Sequence, residues 1–211
     1  MGAMQLRLAC ALGLREHHRL LDFGCGSLRA GRLLMMYLAP GNYYGVEPNK
    51  WLVDAAIAQE LGGEALIALK RPHFDYSNEF RADVFVTFDF IVAPSILSHT
   101  GVDLTARALA NFKQALAPHG LIMATFVPNT KQAETRADGW HYPPCVAYSA
   151  ESIAAFARDA ELHCMRVPWH HPRQDWYLFA HDRAQLPTED EAQRHLSGWV
   201  LRDAGLQARE V

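Results

Sequence analysis

Short apolar runs alternate along the chain with segments in which apolar residues recur every three or four positions. The first pattern is typical of strands buried in a sheet, and the second is typical of helices that pack one face against it. Glycine and proline stand at the ends of these segments, where they stop helices and open turns. A short helix is predicted over residues 6–14. Strands are predicted at residues 19–23, 43–47, 65–69, 88–96, 121–127, 162–167 and 176–180.

Further helices are predicted between these strands and after the last one, while Phe74, Asp75 and Tyr76 are expected to lie in a polar loop. The helix after the first strand is expected to be capped by Ser27, and the helix after the second strand is expected to carry Val53, Ile57 and Leu61 on one face. A later helix is expected to begin at Asp103 with Leu116 facing inward, and another is expected to be capped by Ser149. The last helix is expected to begin with a capping box from Thr188 to Glu191 and to continue through Leu201.

This alternation, which no internal repeat interrupts, predicts an α/β fold. We expect a doubly wound, Rossmann-like and mostly parallel seven-stranded sheet with helices on both faces. Residues 1–211 are expected to form one domain, with a leading helix in residues 5–17, a core in 18–182 and a helical tail in 183–211. Ligands of such sheets bind at the carboxyl ends of the strands.

Composition and charge narrow the class of protein. Half of the 211 residues are apolar and the formal net charge is -3, which is typical of a globular domain and not of a disordered chain. The 20 basic and 23 acidic residues form no basic cluster along the sequence, so nucleic acid is not expected as a partner. Because no apolar stretch is long enough to span a bilayer and no signal pattern stands at the N-terminus, a membrane is not expected either.

The cysteines and histidines do not predict a metal centre or a disulfide framework. Cys10, Cys25, Cys145 and Cys164 are too far apart for a CxxC site, and their number is small for this length, so a reducing cytoplasm is favoured. The pairs at residues 17–18 and 170–171 are adjacent histidines, which point apart on a strand and have no carboxylate at a useful spacing. No metal is therefore expected.

The most informative motif is a glycine-containing turn after the first predicted strand. It includes Asp22, Gly24 and Gly26, and glycine lets the backbone approach a ligand that a side chain would exclude. Arg29 occupies the position of the third glycine in the dinucleotide-binding pattern, which does not favour a pyrophosphate. Glu47 ends the next strand, where its carboxylate can accept hydrogen bonds from two ribose hydroxyls. The combination predicts a nucleoside ligand, and a tight turn without a ligand is the alternative.

Four segments together resemble the class I S-adenosylmethionine-dependent methyltransferases, and look most like a small bacterial type. LLDFGCGS (20–27) is similar to the family's first motif, and YYGVEP (43–48) to its second. FDFIVAPSILSHT (88–100) is similar to the fourth motif, and LAPHGLIMATF (116–126) to the turn before the fifth strand. The resemblance covers residues 18 to about 127 in the family's order, and it implies an enzyme whose cofactor is S-adenosyl-L-methionine.

The resemblance also implies roles for individual residues. Gly24 and Gly26 would pass beneath the methionine part of the cofactor, and Asp22 would anchor the turn and contact the amino group through water or backbone. Glu47 would hold the ribose, and Pro48 would lie against the adenine. The remaining cofactor-binding candidates are Cys25 and Ser27 in the turn, Asp75 for the adenine amino group, and Ala93, Ser95 and Ile96 after the fourth strand.

Three residues are candidates for a general base: His99, His141 and Tyr142. A sulfonium methyl group is already electrophilic, so alignment of the acceptor supplies much of the acceleration. A base is needed only for a hydroxyl or a protonated amine. The alternative is structural, with His99 ordering its turn and the aromatic loop at residues 139–148 covering the edge of the sheet.

The function expected from these features is methyl transfer to oxygen or nitrogen of a small-molecule acceptor, by a cytoplasmic monomer or homodimer. One alternative uses the cofactor itself as substrate, in a cyclisation or elimination that releases methylthioadenosine. Another is a non-catalytic binding subunit that docks through residues 188–211. The sequence does not identify the acceptor.

Overall fold

The structure, a computed structural model, describes residues 2–82, 86–129 and 137–197. Outside residues 64–75, helices and strands follow one another largely as the apolar pattern predicts. The helices are α1 Gly2–Ala11, α2 Gly31–Tyr37, α3 Lys50–Gln59, α4 Glu64–Lys70, α5 Val102–Ala115, α6 Ala150–Asp159 and α7 Glu189–His195, with a 3-10 helix at Arg183–Gln185. The strands are β1 Leu20–Phe23, β2 Tyr43–Val46, β3 His73–Asp75, β4 Phe88–Ala93, β5 Leu116–Pro128, β6 Ala147–Tyr148, β7 His163–Val167 and β8 Asp175–Ala180.

The strands form one mostly parallel sheet in the order β3-β2-β1-β4-β5-β8-β7, and β6 pairs with the end of β5 beside this path. Strands β1 to β5 are parallel along the path, whereas β8 lies antiparallel between β5 and β7. The chain passes from β1 to β2 and β3 on one side and then returns to β4 on the other. This topology confirms the predicted doubly wound fold and places its switch point between β1 and β4.

Both faces of the sheet are covered. One apolar core includes Phe112 of α5, and the other, on the opposite face, includes Leu8 of α1. The neighbouring residues Leu20 and Leu21 of β1 contribute to different cores, because successive side chains of a strand point to opposite faces. Strands buried on both faces read as continuous apolar runs, so Asp22 in β1 is conspicuous.

The segment from residue 64 to residue 75 differs from the prediction. Residues 65–69, predicted as a strand, lie in α4, and the third strand is His73–Asp75, which includes two residues of the predicted loop, Phe74 and Asp75. Glu64 in the first turn and Lys70 in the last turn complement the dipole of this short helix, none of whose residues is buried. The strand forms because it pairs with the edge of β2, where the His73 ring stacks on Tyr44 at 4.5 Å between centroids.

The predicted start of the helix after the glycine turn is also wrong. Leu28 adopts φ +55°, which interrupts a right-handed helix, and α2 begins three residues later at Gly31. Its N-cap residue is Ala30, so Ser27 does not cap it. By contrast, Ser149 caps α6 as predicted, because its side chain accepts a hydrogen bond from the backbone N–H of Ser152.

Two predicted helix ends are corrected as well. Leu116 is the first residue of β5, so it does not lie on the inner face of α5. The capping box at Thr188 is confirmed, but α7 ends at His195, before the predicted end at Leu201, which lies outside the described residues. Leu196 is its C-cap, and residues 198–211 lie outside the described residues.

Candidate functional site

The predicted cofactor residues come together at one edge of the sheet. The glycine turn follows β1, Glu47 follows β2, Asp75 ends β3, and Ser95 follows β4. Because these four strands are parallel, their carboxyl ends lie at the same edge. The switch point of the topology lies there too, which is where a doubly wound sheet binds its ligand.

The glycine turn is held against β2. The backbone N–H groups of Gly24 and Cys25 donate to the carbonyl oxygen of Val46, at 2.8 and 3.1 Å. Gly24 has φ +76°, and a Cβ atom there would lie 2.1 Å from Ile96 Cδ1, so only glycine lets the turn pass directly against this side chain. A Cβ atom on Gly26 would have no neighbour nearer than 3.9 Å, so the space above that glycine admits a ligand.

Cys25 and Ser27 complete the turn. Cys25 is buried, and burial raises the pKa of its thiol, as do the nearby carboxylates of Asp22 and Glu47. The thiol is therefore neutral and suited to packing, not to nucleophilic attack. Ser27 is half-buried. Contact of these two residues with the cofactor remains a prediction.

Glu47 connects the second strand to the turn. Its side chain is buried, with Oε2 accepting from the backbone N–H of Gly26 at 3.1 Å. Oε1 accepts from the backbone N–H and the side-chain amide of Asn49, both at 2.9 Å. A carboxylate oxygen accepts about two hydrogen bonds, so Oε2 can take one more, and the exposed Asn49 amide can give way at Oε1 to a hydroxyl group. These acceptor positions support the predicted contact of Glu47 with two ribose hydroxyls.

Asp22 is a buried carboxyl group beneath the turn. It is 2% exposed, and its Oδ2 accepts a hydrogen bond from the Tyr43 hydroxyl at 2.8 Å. Burial raises the pKa of Asp22 to about 6; the hydrogen bond from Tyr43 acts in the opposite direction, and the charge of Glu47 adds to the rise. A cation beside Asp22 would stabilise its charged form. The group therefore suits the ammonium of an amino-acid moiety.

We expect Asp22 to lower the stability of the ligand-free protein as the pH rises. Its pKa is higher in the folded protein than in the unfolded chain, where it is about 3.9, so folding takes up a proton between these values. The stabilisation is complete below the unfolded pKa and is lost as the pH rises through about 6. Urea unfolding at a pH of about 4.5 and about 7.5 should show a loss of roughly 2 kcal/mol that Asp22→Asn removes.

The control for this experiment is Asp159→Asn, which changes an exposed carboxyl group on α6. This variant should keep the wild-type dependence of the free energy of unfolding on pH. If Asp22→Asn also kept it, Asp22 would not be the group that titrates.

Asp75 and Pro48 lie on the outer side of the site. The backbone carbonyl of Asp75 accepts from the N–H of Glu47 at 3.0 Å, which joins the ends of β2 and β3. Its Oδ2 accepts from the backbone N–H of Ser77 at 3.2 Å and from the hydroxyl of the same residue. Pro48 is exposed beside Glu47. Contacts of Asp75 and Pro48 with adenine stay predictions.

The loop after β4 crosses the switch point. Ala93 is fully buried at the end of the strand, and Ile96 packs on Gly24. Between them, Ser95 adopts φ +60°, a conformation that is uncommon for a residue with a side chain. Its backbone N–H donates to the Thr125 hydroxyl at 2.7 Å. Backbone strain of this kind clusters at functional sites, which supports the predicted place of this loop beside the cofactor.

His99 stands at the end of the same loop. Its Nδ1 lies 2.9 Å from the carbonyl oxygen of His141 and 2.9 Å from that of Pro144. Because carbonyl oxygens only accept hydrogen bonds, Nδ1 carries the proton, and Nε2 of the neutral ring carries the lone pair. Trp140 and Tyr142 lie against the imidazole, at 5.6 and 5.1 Å between ring centroids. The ring is therefore fixed in both orientation and tautomer.

The structure brings the three predicted base candidates together but gives them different surroundings. His141 Nε2 lies 3.0 Å from the carbonyl oxygen of Asp138 and so acts as a donor, while its backbone N–H donates to the His99 carbonyl at 2.7 Å. Tyr142 is 70% exposed, and its ring meets the edge of His99. The donating Nε2 of His141 leaves a lone pair on its Nδ1 as well, and His99 differs in that its ring also packs against Trp140 and Tyr142.

Two polar residues at this edge of the sheet were not among the predicted site residues. Thr125 is fully buried in β5; its hydroxyl accepts from Ser95 and donates to Gln174 Oε1. A single hydroxyl residue inside the apolar run of β5 is the signal that marks Thr125. No comparable signal marks Gln174, because its place depends on the antiparallel course of β8.

Within the described ranges, no group of three or more His, Cys, Asp and Glu side chains is arranged to hold a metal ion. No helix of the described part of the chain is long and apolar enough to cross a membrane. The four cysteines, Cys10, Cys25, Cys145 and Cys164, are free thiols.

Comparison with known proteins agrees with this geometry. Residues 21–122 match the family model of a methyltransferase domain. The fold resembles that of magnesium protoporphyrin IX methyltransferase from Synechocystis PCC 6803 with bound S-adenosylhomocysteine, with a TM-score of 0.64 and 15% identity over 86% of this chain and 84% of that chain. No curated protein sequence matches the chain.

Two further solved structures have the same fold. An S-adenosylmethionine-dependent methyltransferase from Clostridium acetobutylicum ATCC 824 has a TM-score of 0.64 and 13% identity, over 85% of this chain and 89% of that chain. A TehB-like methyltransferase from Corynebacterium glutamicum ATCC 13032 has a TM-score of 0.60 and 19% identity, over 84% of this chain and 86% of that chain. The similarity thus extends well beyond the residues that the family model matches.

Proposed function

The chain carries a class I S-adenosylmethionine-dependent methyltransferase domain, and from that premise we propose that it methylates oxygen or nitrogen of a small-molecule acceptor. The match of residues 21–122 to a methyltransferase domain agrees with the resemblance seen in the sequence. The cofactor, S-adenosyl-L-methionine, is supported by the shared fold with a methyltransferase that was crystallised with S-adenosylmethionine and S-adenosylhomocysteine. When bound, this cofactor supplies a methyl group on a positively charged sulfur. The residues of the chain bind it, orient the acceptor and remove a proton where the acceptor carries one.

The cofactor would lie across the carboxyl ends of β1, β2 and β4. The open backbone at Gly26 leaves room for the methionine part, and the Asp22 carboxyl group beneath the turn favours its ammonium group. Glu47 would bind the ribose through Oε2 and through Oε1 in place of the Asn49 amide. Each of these assignments uses a hydrogen-bonding position or a space that the structure contains.

The observation that carries the proposed reaction is the hydrogen bonding of His99. With Nδ1 donating to two backbone carbonyls, the ring presents the lone pair of Nε2 as a base. A hydroxyl or ammonium acceptor needs such a base as its oxygen or nitrogen attacks the methyl carbon. The imidazolium that forms would be stabilised by the same two carbonyl oxygens.

The proposed acceptor is small and approaches beside exposed aromatic rings. Trp140 and Tyr142 are 50% and 70% exposed next to His99, and they offer apolar surface to an acceptor. The net charge of -3 gives no support to nucleic acid as the acceptor, since phosphate backbones are bound through lysine and arginine. We place the enzyme in the cytoplasm as a monomer or homodimer, and its free cysteines suit a reducing compartment.

The test is incubation of the pure protein with S-adenosylmethionine, with and without a small-molecule extract, followed by mass spectrometry. The expected result is S-adenosylhomocysteine that forms only with the extract, together with one product in which a methyl group replaces a hydrogen of the acceptor. Methylthioadenosine formed without the extract would replace this proposal with cyclisation or elimination of the cofactor. If calorimetry showed no binding of S-adenosylmethionine, a non-catalytic role would replace both.

A further inference from the structure

We infer that Thr125 is a positioning residue for the cofactor, acting through the loop that follows β4. The inference rests on the proposed placement of the methionine part at the glycine turn. Thr125 is fully buried near the carboxyl end of β5, and its hydroxyl is bonded on both sides. It accepts from the backbone N–H of Ser95 at 2.7 Å and donates to Gln174 Oε1.

The direction of these hydrogen bonds is fixed. A backbone N–H only donates, so the Thr125 hydroxyl must be the acceptor from Ser95, and its own proton is then directed to the oxygen of Gln174. The Ser95 hydroxyl lies 3.5 Å from the same oxygen. The hydroxyl thus joins the ends of β4 and β5 to the connection before β8, three segments that are distant in sequence.

The loop needs this bond because of its backbone conformation. Ser95 has φ +60°, which is unfavourable for a residue with a side chain and persists only where its surroundings impose it. The bond from its N–H to Thr125 is such a constraint. The next residue, Ile96, presses its side chain against Gly24, where a Cβ atom would lie 2.1 Å from Ile96 Cδ1. The Thr125 hydroxyl therefore sets the position of the side chain that covers the glycine turn.

Removal of the hydroxyl would release this arrangement. In Thr125→Val the side chain keeps its shape, but the N–H of Ser95 loses its acceptor. Ser95 can then return to a negative φ, and this rotation moves Ile96 away from Gly24. We expect the dissociation constant of S-adenosylhomocysteine to rise about tenfold, while the dissociation constant of adenosine, which has no methionine part, changes by less than about twofold.

The experiment measures both ligands by calorimetry in the wild type, Thr125→Val and Thr125→Ser. Thr125→Ser keeps the hydroxyl and should bind S-adenosylhomocysteine within about twofold of the wild type. The matched control is Thr105→Val, since Thr105 is also fully buried but bonds to the Thr100 hydroxyl at 2.7 Å, away from Ser95. This control should lose stability without losing affinity for the cofactor product.

The outcomes separate the inference from the proposed function. If the wild type bound no S-adenosylhomocysteine, the proposed function would fail. If the wild type bound it and Thr125→Val bound it equally well, or if Thr125→Val weakened the binding of adenosine to the same extent, only the positioning role of Thr125 would be overturned.

Should Thr125→Val not fold, Gln174→Leu provides the second variant. It removes the acceptor of the Thr125 proton, and it too should weaken S-adenosylhomocysteine and spare adenosine; wild-type affinity for both would overturn the role.

Discussion

His99→Asn should lower the acceptor-dependent turnover number by about 10²- to 10⁴-fold, the range typical of a lost general base. Asparagine retains an N–H near the position of Nδ1, so the hydrogen bonds to the carbonyls of His141 and Pro144 can persist. What the variant lacks is the lone pair of Nε2. The measurement is the rate of S-adenosylhomocysteine release with the acceptor identified from the extract.

The same variant should bind S-adenosylmethionine as the wild type does, because His99 belongs to the acceptor side of the site. His163→Asn, an exposed change at the start of β7, is the control and should leave the rate unaltered. A rate for His99→Asn within threefold of the wild type would show that the acceptor needs no base or finds it elsewhere.

Glu47→Gln should raise the dissociation constant of S-adenosylhomocysteine by about 10- to 100-fold. The substitution replaces a carboxylate that serves as an acceptor at both oxygens by an amide whose NH₂ group would face a donor, either Gly26 or Asn49. Hydrogen bonds to a charged group contribute about 1.5–3 kcal/mol, and each 1.4 kcal/mol corresponds to a factor of ten in affinity.

Adenosine provides the sharper measurement for Glu47, because it carries the ribose but not the methionine part. Its affinity should fall by the same factor as that of S-adenosylhomocysteine, in contrast to the pattern expected for Thr125. Glu60→Gln, at the exposed end of α3 where the carboxylate pairs with Arg32, should change neither affinity. Unchanged affinity in Glu47→Gln would remove Glu47 from the site.

The features that the sequence predicted correctly depend on short stretches of chain. The glycine turn, Glu47 and the apolar strands are local patterns, and parallel pairing then brings their ends together without further information. The error at residues 64–75 arose because β3 has few apolar residues of its own and gains its stability at the edge of β2. Ser27 was mistaken for a cap because a left-handed residue, Leu28, cannot be recognised from residue types alone.

The candidate site residues divide in the same way, into those that a local pattern marks and those that only the folded sheet brings together. Glu47 and Gly24 were predicted as site residues from their spacing, but nothing in the sequence shows that Nδ1 of His99 meets the carbonyl oxygens of residues 141 and 144. The contact of Thr125 with Gln174 joins residues separated by 49 positions and depends on a strand that reverses direction. Such contacts belong to the assembled sheet, and no local preference encodes them.

The reversal of β8 has a consequence for how this enzyme can change. Because β8 runs against β5, the connection at residues 168–174 returns to the same edge as the cofactor residues, whereas a parallel strand would have sent it to the far side. The residues proposed to hold the cofactor come from the first half of the chain, whereas Trp140 and Tyr142, which are proposed to face the acceptor beside His99, come from the second. We therefore expect the acceptor to change when the later loops are lengthened or replaced. Thr125, which bonds to both Ser95 and Gln174, would connect such a change to the proposed cofactor site.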